Sequence, residues 1–128
     1  CADKKIHLLL KQARIPYKFS ETAFHKTEAG LTGCEYLIAR YGSIVVSSKG
    51  QSGRRMNVFP ETHIVLAFTS QIVPDIKDAM INLRKKYQNA LPSMITFITG
   101  PSRTADIEKT LVMGAHGPKN LYVFLVDA

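Results

Sequence analysis

The chain has 128 residues, 45% of them hydrophobic, and a mean hydropathy near zero, which predicts a single folded domain with its own core and excludes a disordered chain. Its longest apolar runs, Ile64–Phe68 and Leu121–Val126, fall far short of the roughly 20 residues that a spanning helix needs, so no membrane segment is expected. The formal charge is +7, with the excess in the first half: residues 1–58 carry ten Lys and Arg against four acids, residues 59–128 seven against six. Without an aromatic-plus-basic stripe or a nucleic-acid motif, this balance reads as a solvated basic face, and no nucleic-acid partner is expected. Cys1 and Cys34 lie far apart and outside any CxxC or Cys/His spacing, so neither an intrinsic metal or iron–sulfur site nor a disulfide framework is expected, and a reducing cytoplasmic setting fits. The chain opens on Cys1 without a Met, which suggests residues missing upstream.

Along the chain, Ile6, Leu9, Leu10 and Ala13 recur at helical spacing, with Asp3 at the start and Lys11 and Arg14 at the end, predicting a helix closed before Pro16. "YKF", from Tyr17, reads as a short strand, and Ser20 to Gly30 as a surface loop. "CEYLIARYGSIVVSS", Cys34 to Ser48, has β-rich segments on both sides of Arg40-Tyr41-Gly42-Ser43 and predicts a hairpin turning at Gly42. Residues 49–57 form a loop with Arg54 and Arg55. "HIVLAF", His63 to Phe68, is apolar throughout and predicts a strand buried on both faces. Ile76, Ala79, Met80, Leu83 and Tyr87 then mark a second helix, with Pro74 at its start and Arg84-Lys85-Lys86 in its last turns. "MITFI", Met94 to Ile98, predicts a second buried strand. A short helix from about Thr104 to Met113 and a third strand, Leu121 to Val126, complete the reading. Strand, helix, strand, helix, strand is the order of a parallel sheet, so the expected fold is a three-layer, Rossmann-like, mostly parallel α/β domain with a β-hairpin insertion.

Two loops carry the candidate chemistry. "ITGPSRTADIE" runs off the second strand at the place where open parallel sheets bind ligands. There Gly100 permits close approach, Ser102 and Thr104 offer hydroxyls, Arg103 offers a bidentate contact to a carboxylate or phosphate, and a helix starting at Thr104 would present free N–H groups, with Asp106 in its first turn. The same residues also suit a plain turn and helix cap. "GAHGP" sets His116 among Gly114, Gly117 and Pro118, where an imidazole in the open suits proton transfer, although turn histidines are also often only solvated. Arg54 and Arg55 are further anion-binding candidates. Glu35 is a lone carboxylate in the hairpin region and weak ground for acid–base work. Neither GxGxxG nor GxxxxGK[ST] is present.

Taken together, "TGCEYLIARYGSIVVSS", "FPETHIVLAFTSQIVPDIKDA" and "ITGPSRTADIEKTLVMGAHGPKNLYVFLVD" resemble the LUD-domain family of lactate-utilisation proteins, over Gly33 to Asp127. The resemblance implies a fold like the group of ribose-5-phosphate isomerase, glucosamine-6-phosphate deaminase and the CoA transferases. It further implies a non-iron–sulfur component of a cytoplasmic system oxidising L-lactate to pyruvate, with iron–sulfur clusters only in partner proteins and no intrinsic cofactor. The expected site then comprises His116 for proton transfer and Gly100, Ser102, Arg103, Thr104, Asp106, Gly114, Gly117, Arg54 and Arg55 for a small anionic metabolite or a partner surface. A stand-alone enzyme acting on a phosphorylated, folate or CoA substrate is the alternative that the fold group suggests. Where the family pattern "AETGT" implies a Glu ahead of the hairpin glycine, this chain has "ARYGS", with Arg40 in that place. A step that needs that carboxylate is not implied here.

Overall fold

Helix α1, Lys4–Gln12, forms as its spacing predicts and turns Ile6 and Leu10 inward. It ends where Arg14 takes a left-handed φ of 54° and the Ile15 amide reaches back to the Leu10 carbonyl, ahead of Pro16. The chain is described here by a computed structural model over residues 4–17, 28–50, 60–88, 90–101, 103–105, 111–113 and 117–127, with backbone alone for 103–105 and 111–113. Tyr17, the first residue of the expected "YKF" strand, lies outside any strand, and the two that follow it lie outside the described residues.

Strands β1 (Ala29–Thr32), β4 (Thr62–Phe68) and β9 (Asn120–Val126) form a parallel sheet with β4 at its centre. Strands β2 (Tyr36–Ile38), β3 (Ser43–Ser47), β5 (Ile72–Val73) and β6 (Ile95–Ile98) form a second, mixed sheet in the order β5-β2-β3-β6. The expected hairpin is β2 and β3, with Tyr36 opposite Val45, and Gly42 supplies the positive φ of 63° that its turn requires.

The two sheets pack face to face. On β4, His63, Val65 and Ala67 alternate inward and are fully buried, and Val65 joins Ile44 and Val46 of β3 in one apolar cluster closed by Leu37, Ile98 and Leu121. The opposite face of β4 is half-buried: Ile6 and Leu10 of α1 cover Leu31 and Leu66 there, and the Lys5 ammonium sits 5.5 Å over the Phe68 ring. On the far side of the mixed sheet, helix α2, Ile76–Tyr87, buries Ala79 and Leu83 against Ile38, Val45 and Val73. Asp75 caps it, accepting from the Ile76 amide while its own amide donates to Asp78. The layers therefore run α1, parallel sheet, mixed sheet, α2, and the α/β class with a parallel sheet holds.

Several local expectations are corrected. The loop expected from Ser20 to Gly30 gives way at Ala29 to strand β1, and β4, expected buried on both faces, is half-buried on the α1 side. Within Met94–Ile98, Ile95–Ile98 does form a strand, but β6 is half-exposed rather than buried and pairs antiparallel with β3 rather than entering the parallel sheet, with Ile44 opposite Ile98 and Ser47 opposite Ile95. The helix expected from Thr104 to Met113 is replaced at both ends by an antiparallel pair, β7 (Arg103–Ala105) with β8 (Leu111–Met113). Ten residues with only a short apolar stripe cannot offset the cost of helix nucleation, and β-branched Thr104 and Val112 favour extended backbone.

Because Leu83 is fully buried whereas Ile81 on the same helix is exposed, Leu83→Ala should lower the unfolding free energy by about 2–5 kcal/mol and Ile81→Ala by less than about 1 kcal/mol. Urea unfolding followed by circular dichroism measures both.

Candidate functional site

Strand β3 is buried along its whole length, and a serine at each end turns its hydroxyl to a different part of the molecule. At one end, Ser43 Oγ and Thr99 Oγ1 share a 2.7 Å hydrogen bond. That contact joins the hairpin turn to the loop leaving β6, so Gly42 and Gly100 come to the same end of the mixed sheet. Both have left-handed backbone, φ 63° and 89°, and open space where a side chain would start. Because β2 is parallel to β5 and β2 and β6 each run opposite to β3, the carboxyl ends of β2, β5 and β6 share this edge. The Ala39 and Arg40 amides donate to the Val73 and Pro74 carbonyls, which brings the start of α2 alongside.

Arg40 meets Asp75 here, with Nη1 2.8 Å from Oδ2, and its guanidinium lies 5.3 Å over the Tyr41 ring. The hydrogen bond from Arg40 and the Ile76 amide hold the Asp75 carboxyl below its ordinary range. Arg40, ahead of the hairpin glycine, is thus an exposed cation already engaged by the helix cap. The edge as a whole sets two glycines with open space beside them next to the Ser43–Thr99 hydroxyl pair and the Arg40–Asp75 ion pair.

At the other end of β3, Ser47 Oγ donates to Glu35 Oε1 at 2.6 Å. The same carboxylate accepts from Tyr87 Oη at 2.5 Å and from Lys86 Nζ, 2.6 Å from Oε2, so it is buried with three donors around it. Burial alone would raise the Glu35 pKa, but the bonds from Lys86, Ser47 and Tyr87 outweigh it and leave the carboxyl below its ordinary value. Burial likewise disfavours the Lys86 charge, and the Glu35 contact reverses the shift upward. The arrangement is a fixed ion pair that bolts the last turn of α2 to the hairpin, not an acid or base poised near neutrality. Beside it, burial and the Glu35 charge push the Cys34 thiol up to about 12, which removes it as a nucleophile. Gln71 Nε2 donates to the Cys34 carbonyl at 2.7 Å and ties the turn after β4 to the same corner. Lys86 and Tyr87 read in the sequence as dipole charge and core stripe, and their partner lies 51 and 52 residues away, a distance that no local pattern spans.

His63 is a third polar feature that sequence reading did not single out for function. Its Nε2 lies 2.7 Å from Thr32 Oγ1 between the two sheets, its Nδ1 has no hydrogen-bond partner among the described residues, and burial pushes its pKa down to about 4.

Of the expected site, Gly100 lies on the edge described above. Arg103 and Thr104 lie in the backbone of β7, so the helix N-terminus that was to present amides at Thr104 is absent. Gly117 stands in the turn entering β9, at the amino end of the parallel sheet, where the Lys119 and Asn120 amides both donate to the Glu61 carbonyl. Ser102, Asp106, Gly114, His116, Arg54 and Arg55 lie outside the described residues. Among the described residues, no group of three His, Cys, Asp or Glu is placed to hold a metal ion, and no helix is long and apolar enough to cross a membrane.

Residues 5–126 match the LUD domain. The chain belongs to the LUD domain family. It is 35% identical over 108 residues to lactate utilization protein C of Geobacillus thermodenitrificans, covering 82% of this chain and 45% of that protein. It is 38% identical over 105 residues to lactate utilization protein C of Bacillus subtilis, covering 80% and 44%. An uncharacterized protein of Neisseria meningitidis is 34% identical over 103 residues, with the same coverage, 80% and 44%. This LUD domain chain therefore spans less than half the length of the curated relatives it matches. Among solved structures, a DUF162 family protein from Deinococcus radiodurans superposes with a TM-score of 0.62 at 26% identity, covering 86% of this chain and 59% of that one.

The depressed His63 pKa makes stability depend on pH. The unfolded chain binds a proton near pH 6.5 that the folded chain refuses until about 4, so the contribution of the neutral imidazole is complete above 6.5 and is lost as pH falls toward 4. Denaturant unfolding should show a loss of about 3 kcal/mol across that window from this group. The loss should shrink in the paired variant Thr32→Val with His63→Phe. Separately, Glu35→Gln should cost about 1–3 kcal/mol at neutral pH by leaving Lys86 without its counter-charge.

Proposed function

We propose that this LUD domain protein serves L-lactate utilisation in the cytoplasm, as a component that carries no iron–sulfur cluster itself and works with iron–sulfur partners in oxidising lactate to pyruvate. Relatives named lactate utilization protein C, matched over about four-fifths of the chain, support the process. The observation that supports a site is the Ser43–Thr99 bond, which brings Gly42 and Gly100 to one open edge beside the start of α2. In this reading, the edge takes a carboxylate-bearing metabolite or an acidic partner surface. Gly100 admits the ligand, Ser102, Arg103 and Thr104 follow it in sequence as hydrogen-bonding and charge-bearing groups, and the loop Gly114–Gly117 supplies His116 for proton transfer. Asp106, Arg54 and Arg55 belong to the same proposed set. Arg40, standing where the family pattern has a glutamate, makes the edge a binding rather than a general-base surface.

Deleting the gene from its host should abolish growth on L-lactate and lactate-dependent pyruvate formation. A host that oxidises lactate at an unchanged rate after deletion overturns the reading. Complementation with Arg103→Ala or Gly100→Val should restore little of the rate. At φ 89° any side chain on residue 100 costs about 1 kcal/mol of backbone strain, so Gly100→Val is compared with wild type by thermal unfolding to establish that it still folds.

A further inference from the structure

Among the described residues, strand β9 is an edge of the three-stranded parallel sheet, and it is more exposed than parallel strands usually are. Tyr122, Val123, Phe124 and Leu125 are 55%, 44%, 56% and 50% exposed, the aromatic pair on one face and the aliphatic pair on the other. One helix about 10 Å across covers about two strands spaced 4.8 Å apart, and α1 is spent on β1 and β4 through Leu31 and Leu66. On the other face, the mixed sheet reaches only Leu121 of β9. Among the described residues, β9 pairs with β4 alone, and between Asn120 and Val126 it carries no charge, proline or glycine of the kind that blocks edge pairing.

We infer that β9 is a self-pairing edge, joining antiparallel to β9 of a second copy of this chain about a two-fold axis at Val123. The sequence of the strand is complementary to itself in that register and in no parallel one. Tyr122 falls opposite the partner's Phe124, an aromatic cross-strand pair made twice, and Leu121 falls opposite the partner's Leu125. At the two ends, exposed Lys119 falls opposite the partner's Asp127, so charges of opposite sign close the ladder at both ends. Among the described residues, Lys119 makes a long 3.8 Å contact to Glu61 and Asp127 accepts a hydrogen bond from Thr69, and a lysine ammonium and a carboxylate each have capacity for a further partner. Two three-stranded sheets become one of six strands, in which the outward backbone groups of each β9 pair across the seam and Tyr122 packs beside the partner's Phe124 on the same face.

Sedimentation velocity on the 128-residue chain at micromolar concentration should show a dimer. Phe124→Lys, at an exposed position that leaves the fold unchanged by circular dichroism, should give a monomer. Lys119→Asp alone and Asp127→Lys alone should each weaken the dimer by about tenfold, since each sets like charges together twice, and the double exchange should restore it. A wild-type monomer overturns the inference, including one in which β9 amides resist hydrogen exchange because another stretch of chain covers them. So does a dimer that survives Phe124→Lys, or one in which the double exchange behaves no better than the single ones.

Discussion

Strand β3 is the constraint on which the rest of this molecule depends. All five of its residues are buried, because it lies between the parallel sheet on one side and α2 on the other. Ile44 and Val46 meet Val65 of β4, and Val45 meets Leu83 and Ala79 of α2, so one short strand contributes to two apolar clusters. A strand buried on both faces can carry polar side chains only where each finds a partner, since an unpaired buried hydroxyl costs about 1–3 kcal/mol. Ser43 and Ser47 meet that requirement at opposite ends, one with Thr99 and the other with Glu35. The open edge at Gly42 and Gly100 and the closed ion pair at Glu35 are thus consequences of the same packing.

The contrast between those two ends bears on function. At the Glu35 end every group is engaged: the carboxylate has three donors, the lysine has its counter-ion, and the neighbouring thiol is held protonated. Such a network fixes the position of α2 against the hairpin and leaves nothing free to bind or react. At the Gly42 and Gly100 end the backbone is held from inside by the Ser43–Thr99 bond while its outer side faces open space. Rigid support beneath and open space above is the arrangement that a binding edge needs.

The parts of this fold that local chemistry decides were legible in the sequence. Gly42 between two β-rich runs specified the hairpin, the 3.6-residue spacing from Ile76 to Tyr87 specified α2, and the apolar run from His63 to Phe68 specified the central strand. What local chemistry does not decide was not legible. Met94–Ile98 is apolar enough for either sheet, and its place beside β3 follows from long-range pairing, Ile44 with Ile98, that period and composition do not encode. Arg103–Ala105 and Leu111–Met113 are each too short for periodicity to separate helix from strand. On the site, glycine at position 100 was readable as a turn residue, but its proximity to the hairpin rests on two hydroxyls 56 residues apart. Glu35 read as an isolated carboxylate because its partners come from α2 and the far end of β3, and His63 read as the start of a strand because burial from across two sheets is invisible along one.

The two sheets also differ in how completely they are covered, and that difference separates the binding edge from the pairing edge. The mixed sheet has α2 on one face and the parallel sheet on the other, so its outer features are turns and loops carrying polar groups. Among the described residues, the parallel sheet has its covering layers centred over β4, and β9 carries exposed apolar side chains on both faces. A polar, glycine-held edge recognises through directed hydrogen bonds and charge, whereas an apolar strand edge recognises by extending a backbone ladder and matching side chains across it. Because Gly100 belongs to the carboxyl end of β6 and Tyr122–Leu125 to the length of β9, the two surfaces lie on different sheets, and occupation of one leaves the other's backbone groups untouched. Assembly along β9 would therefore join the parallel sheets of two copies while each Gly42 and Gly100 edge stays on its own mixed sheet, held from within by its own β3.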